Sequence, residues 1–355
     1  MAAYKHLQSN PGLVNLVSNT TAALKTNIND FVSFSESIVD QPHWERSGNT
    51  RLVTTAAGEQ VVEASLLPLM RDFVAWTANP ALTGSDFVNN NPAFWSDLWT
   101  MDRAFMYMAT GLPRWLPIPT LTRGHLALRR MLQPLLEFHV ALDKHADGKD
   151  PGSGWSNLDD VSEVVKARTA IYREHNASMQ ARAACEAALV WAMNANANVT
   201  IFWLLNRIYA DPELLAALRE EVVPFVNVAP ANRDFAIPEP PRLQNIDLEG
   251  LETKCPLLKS AYIESLRLDV AAWSFKVMRQ DVLLSAREKQ AEKFWIRKGT
   301  YTHIAHELHN KDPAYWDDPK VWKADRHIRY ESDGEKGAEK QVKVDMGSIR
   351  SYGKC

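Results

Sequence analysis

Few residues of this chain have types and spacings that could do chemistry. Cysteines stand at Cys185, Cys255 and Cys355, an odd number with no C-x-x-C and no Cys/His zinc spacing. They form no disulfide framework and fit a reducing compartment. His303, His306 and His309 crowd into THIAHELHN. There His306-Glu307-Leu308-His309 misses H-E-x-x-H by one residue and precedes a turn, which excludes a metalloprotease zinc site. Asn194, Asn196 and Asn198 interrupt the apolar segment ALVWAMNANANVTIFWLL just before Thr200. Three amides argue against a lipid span, and in a protein core each needs a partner. Ala195 and Ala197 alternate with them and leave room for something bulky. A large planar cofactor lying across this helix would account for both features.

The element that organises the rest is CPLLKSAYIESLRL, residues 255–268. Leu258, Tyr262, Ile263 and Leu266 fall on one face at helical spacing, which predicts an amphipathic helix. Glu264 and Arg267 are three apart and therefore neighbours on it. Further on, LHNKDPAYWDDPKVWKADR carries two turn signals, Asp312-Pro313 and Asp318-Pro319, with Tyr315, Trp316 and Trp322 between them. Such a segment makes no regular element, so side chains must fix its shape. Arg326 at its end could meet the Glu264 carboxylate bidentately while Arg267 holds the other side.

An E-x-x-R helix followed by a Pro- and aromatic-rich meander ending in Asp-Arg resembles the cytochrome P450 family, the haem-thiolate monooxygenases. The resemblance implies a mainly α fold with a minor β component, and a structural triad of Glu264, Arg267 and Arg326. It makes the amide-rich helix the long one that passes over the haem. There the family's Ala/Gly-Gly-x-Asp/Glu-Thr proton relay aligns with Asn196-Ala197-Asn198-Val199-Thr200, so Thr200 and Asn196 are the candidate catalytic residues. The acid is replaced by Val199; a register one residue earlier puts Asn198 at the acid and Val199 at the alcohol. Asn in this stretch, with Phe202-Trp203 after it, is similar to the sterol 7α-hydroxylase and prostacyclin synthase branch. Lys276, on the predicted strand WSFKVMRQDVLL, and Arg350 align with basic residues that meet haem propionates. Cys355 aligns with the axial ligand of haem iron. Only Lys354 separates Gly353 from Cys355, so the loop is shorter than the family's glycine-rich one, which brings backbone N–H groups to the sulfur. Cys185 and Cys255 read as small buried hydrophobes.

The rest of the chain fits one family domain spanning 1–355, incomplete at both ends. The start, MAAYKHLQSNPGLVNL, shows no apolar anchor, and the family's first sheet and Trp-x-x-x-Arg helix are not visible. The helix that follows the cysteine is likewise not visible. From Pro11 to Lys144 the pattern is helical, with breaks at Asn79-Pro80, Asn91-Pro92 and PRWLPIPT, and Trp44, Trp76, Trp95, Trp99 and Trp115 as core or turn aromatics. HADGKDPGSGWSN, 145–157, reads as a flexible link. One long helix runs from about Ala181 to Val223, with Asp211 and Pro212 starting a second segment. The proline-rich stretch 224–250 reads as a surface connection. Apolar residues make up 46% of the 355, enough for a sizeable core, and a net charge of −3 argues against a nucleic-acid partner.

Two classes of function follow from the resemblance. One is a haem-dependent monooxygenase that hydroxylates a small lipophilic metabolite (a sterol, terpenoid or polyketide) with O2 and electrons from an NADPH-cytochrome P450 reductase-type donor. With the relay acid missing, an isomerase or dehydratase of the same type stands beside it. The other is an inactive remnant that cannot hold haem. Relatives of this kind sit on the endoplasmic reticulum, whereas an intracellular chain without an anchor would be cytoplasmic.

Overall fold

The computed structural model describes residues 12–58, 60–229, 242–270, 273–285, 293–331 and 341–349. The fold is mainly helical, and its strands form small two-stranded sheets. Two compact units share the chain: 1–202 with 227–246, and 203–226 with 247–355.

The first unit is built on three helices, Phe94–Ala109, Pro119–Ala146 and Met179–Ala195. The 119–146 helix starts with Pro119 in its first turn and carries Lys144 and His145 in its last, where cations suit the helix dipole. Leu121, Gly124, Ala127, Met131, Leu135, Phe138 and Leu142 recur every three or four residues along it, all buried. Gly124 is required rather than permitted, because a Cβ there would lie 2.2 Å from the Ala104 Cβ of the neighbouring helix. Trp95, Leu98 and Met101 of that neighbour complete the core with Ala183, Ala187 and Val190. Trp44 and Trp99 are buried as expected; Trp115 is 80% exposed.

The loop 145–157 does not hang free as a link. Asn157 N–H donates to Asp86, Asn90 to the Gly154 carbonyl, and Trp155 packs on Phe138.

The stretch from 181 to 223, expected as one long helix with a second segment starting at Asp211 and Pro212, is three helices, Met179–Ala195, Ala197–Ala210 and Pro212–Val222. The last break follows the capping signal: Asp211 accepts from the N–H groups of Glu213 and Leu214, and Pro212 takes the first turn. The first break, at Asn196, has no proline or glycine to announce it. The described part of the stretch 224–250 lies near the surface, as expected, but is not an irregular connection: Val226–Ala229 and Arg242–Ile246 pair as strands, and Leu248–Lys254 is a helix.

The second unit centres on the helix Pro256–Asp269. Its first free N–H groups, of Leu257 and Leu258, are taken by the two oxygens of Glu221 at 2.7 and 2.8 Å. Leu204, Ile208, Leu218 and Ala261 form a small core with Trp322 against it. WSFKVMRQDVLL forms the strands Trp273–Val277 and Val282–Ser285 around a turn, as predicted. These pair antiparallel with Tyr301–Ala305 and Lys293–Ile296.

Candidate functional site

The buried face of the 256–269 helix is not the apolar one expected. Tyr262 is exposed, while Ser260, Glu264, Ser265 and Arg267 are fully buried. Burial of that many polar groups is tolerable only if each is bonded, and each is. Arg267 forks onto Glu264, Nε to Oε2 and Nη2 to Oε1, both at 2.8 Å. Its Nη1 donates to the carbonyls of Asn310 (2.5 Å) and Pro319 (2.7 Å), and its plane lies 5.1 Å from the Trp316 ring. Arg326 Nε reaches Glu264 Oε1 at 2.8 Å, and its other nitrogens hold the carbonyls of Asp317, Asp318 and Val321. Glu264, Arg267 and Arg326 thus come together, with the expected roles exchanged. Arg267, already in register on the same helix, takes the bidentate grip, while Arg326 spends its fork on the meander backbone.

A fourth member is missing from the sequence reading. His327 Nε2 lies 3.1 Å from Glu264 Oε2, its N–H donates to Ser260, and its Nδ1 faces the Asp345 carbonyl at 3.1 Å. The signal was its position directly after Arg326. Trp322 adds an indole N–H to Ser265 at 3.1 Å. Burial would raise the Glu264 carboxyl, but hydrogen bonds from Arg267, His327 and Arg326 outweigh it and hold the group down at about 2. This is a lock, with backbone carbonyls and a carboxylate saturated by cationic donors. It has no spare group to act on a substrate.

The amide stretch is explained differently from the expectation. Asn194 and Asn79, 3% exposed each, form a reciprocal amide pair at 2.9 and 3.0 Å. Each NH2 also donates back to a helix carbonyl, of Val190 and Ala75. Asn194 is therefore satisfied within the protein and needs no cofactor. Asn198, 1% exposed, donates to the Asn194 carbonyl at 2.9 Å, while its Oδ1 has no hydrogen-bond partner among the described residues. Thr200 Oγ1 donates back to the Asn196 carbonyl at 3.2 Å, and the Asn196 side chain is exposed. The run Met179–Ala210 is long and apolar enough to cross a membrane by length and composition. The Asn79 pair and the core packing of Ala183, Ala187 and Val190 give its first half a protein environment. Asn194→Leu is expected to lose about 1–3 kcal/mol, because it strands the Asn79 amide, and Asn79→Leu in the same chain should restore part of it. Denaturant midpoints of the two single variants and the double one measure both.

Lys276 is exposed on its strand, whose Thr302 neighbour donates to the Lys276 carbonyl. Arg350 and Cys355 lie outside the described residues. Cys255 is buried, its Sγ 3.5 Å from the Glu221 carbonyl; burial, with Glu221 beside it, pushes the thiol up and away from thiolate. Cys185 is exposed. The three histidines face different partners: His306 meets Ser274, His309 meets the Ser348 carbonyl, and His303 stacks on Phe275.

In the first unit an apolar groove of about 310 Å³ opens between three helices, lined by Met101, Phe105, Met108, Leu128, Leu132 and Trp191. Phe105 and Trp191 stack at 4.1 Å, and the indole is fixed by Asp102 at 3.0 Å.

No protein-family profile matches the chain. Among curated proteins it is similar to the cytochrome P450 monooxygenase calL of Penicillium decumbens, 29% identical over 202 residues, which are 56% of this chain and 34% of that protein. The cytochrome P450 monooxygenase efuG of Hormonema carpetanum is 24% identical over 326 residues, 84% of this chain and 53% of its own length. Cytochrome P450 7A1 of Sus scrofa is 29% identical over 142 residues, 40% of this chain and 26% of that protein. The chain thus spans about a quarter to a half of the length of these relatives.

Proposed function

Taking as premise the similarity of this chain to cytochrome P450 monooxygenases, we propose that it is the central and meander part of such an enzyme, acting on a small lipophilic metabolite. The observation that carries the reading is the buried Glu264–Arg267–Arg326 lock, which ties a helix to an irregular meander in the arrangement the resemblance requires. Both compact units are read as parts of one family domain. Two of these relatives are named monooxygenases, and nothing in them favours the inactive remnant.

The donor set fits haem in one way. The resemblance aligns Cys355 with the axial ligand of haem iron, and we read it in that role; Cys255, by contrast, is a buried, carbonyl-bonded thiol held away from the thiolate form. Lys276 and Arg350 would pair with the propionates. The buried Asn198 side-chain oxygen, without a partner among the described residues, is an acceptor that a polar guest against that helix could meet. When bound through a thiolate, haem supplies reductive activation of O2 and insertion of one oxygen atom into a C–H bond. The chain's own contributions are a lipophilic groove at Phe105 and Trp191, a hydroxyl at Thr200 that can release Asn196 to pass a proton, and the exposed amide of Asn196 beside it. The groove suits a sterol, terpenoid or polyketide skeleton. O2 and a reductase-type electron donor complete the partners, and three scattered cysteines favour an intracellular setting.

A second reading has one observation in its favour. Thr200 is bonded back to its own helix and Val199 stands where the relay acid belongs, which suits a rearrangement or dehydration without oxygen insertion. Mass spectrometry of products from hemin-loaded protein, NADPH, a reductase and a panel of terpenoids and sterols separates the two. A product one oxygen atom heavier supports the monooxygenase, and a product of unchanged or water-depleted mass supports the second reading. No turnover of any panel member would count against both.

A further inference from the structure

We propose that His309 and His327 are positioning residues for the segment 350–355, two imidazoles that fix how the chain leaves the fold toward Arg350 and Cys355. The proposal rests on the reading given above, in which those two residues meet the haem. It concerns residues 345–349, which lead into the segment and are gripped at both ends.

His327 grips the start. The Asp345 N–H donates to the His327 carbonyl at 2.8 Å, and His327 Nδ1 lies 3.1 Å from the Asp345 carbonyl. The other ring nitrogen of His327 faces Glu264, so this grip is anchored in the buried lock. Asp345 Oδ1 then accepts from the Gly347 N–H at 2.9 Å. Gly347 turns the chain at a φ of 57°, which glycine adopts without strain.

His309 grips the end. Its Nε2 lies 2.8 Å from the Ser348 carbonyl. A carbonyl only accepts, so the ring must present its N–H at that nitrogen. The imidazole rests against Tyr315, with ring centroids 4.3 Å apart. His309 sits on the short helix His306–Asn310, and Arg267 holds the Asn310 carbonyl of that helix. The second grip therefore also traces back to the lock. Ile349 follows, 5% exposed, packed with Ile263 and Trp316.

The two imidazoles thus meet carbonyls three residues apart, one on each side of a glycine turn. A single grip would fix where the turn sits; the pair also fixes the direction in which it points. Groups that orient a metal ligand from outside the ligand set commonly change affinity by about 10–100-fold. In this role the lock does more than staple the meander, because it also aims the segment that carries the ligand.

Two measurements on His309→Leu and His309→Gln test this, with the exposed neighbour Leu308→Ala as reference. The first is amide hydrogen exchange of the full chain without haem. The second is the rate of haem loss from the hemin-loaded chain to a scavenger, with its Soret spectrum. Leucine removes the donor, and glutamine can return an N–H to the Ser348 carbonyl. In His309→Leu, exchange at 345–349 should rise about fivefold to tenfold while the 256–269 helix keeps its rates. Haem should leave about tenfold faster, with an altered Soret band. His309→Gln should return both readouts toward those of the unaltered chain. Unchanged exchange in His309→Leu, or haem loss and spectrum unchanged in it, would overturn the positioning role alone. An unaltered chain that takes up no haem would overturn the role together with the reading beneath it, and the exchange rates would still decide whether the grip exists.

Discussion

Arg267→Met is expected to cost about 3–5 kcal/mol, a large part of the stability of a domain of this kind. The guanidinium is fully buried and bonds both oxygens of Glu264, so its removal leaves a buried carboxylate to Arg326, His327 and the Lys323 N–H. The carbonyls of Asn310 and Pro319 lose their donor in the same step, and each buried acceptor left unmet adds its desolvation cost. Arg267→Lys keeps the charge but not the planar fork and should recover only a minor part. Denaturant unfolding followed by circular dichroism gives the numbers, with exposed Lys254→Met as the reference. A midpoint for Arg267→Met close to that reference would contradict the lock as a stabilising element.

Acid should weaken the same lock. Glu264 titrates at about 2 in the folded chain against an ordinary 4.5, so on acidification the unfolded chain takes up its proton first. The contribution is therefore fully present above about pH 4.5 and is lost as the pH falls from there toward 2. The gap corresponds to about 3 kcal/mol. Urea midpoints measured from pH 6 down to pH 3 should fall steeply below 4.5. Glu264→Gln should begin from a lower stability at pH 6 and show a much shallower acid limb. Equal acid limbs in the two proteins would place the acid sensitivity elsewhere. The exposed carboxylates Asp147 and Asp318 are also held low, by Arg173 and Lys323 respectively, but solvent screens their pairs and they add little.

What the sequence disclosed follows from the range of each interaction. Glu264 and Arg267 were legible because i,i+3 spacing on a helix puts side chains together whatever the tertiary fold. Arg326 was legible through the resemblance, but not its role, since which arginine forks depends on how the meander turns. Asn79 and Asn194 are 115 residues apart. The sequence says that a buried amide needs a partner, but not which one. The break at Asn196 has no breaker residue, and the strands 226–229 and 242–246 are too short, with prolines between them, for alternation to show. Tyr262 misled for a physical reason: apolar periodicity marks the buried face only where the buried face is apolar, and here it holds an ion network.

The reduced, carbon-monoxide difference spectrum of the hemin-reconstituted chain, run beside Cys355→Ala, tests the central claim most directly. A Soret band at the red-shifted thiolate position, absent from the variant, is the expected result and would make Cys355 the iron ligand of this chain. A chain that takes up no haem, or a spectrum that Cys355→Ala leaves unchanged, would contradict the account.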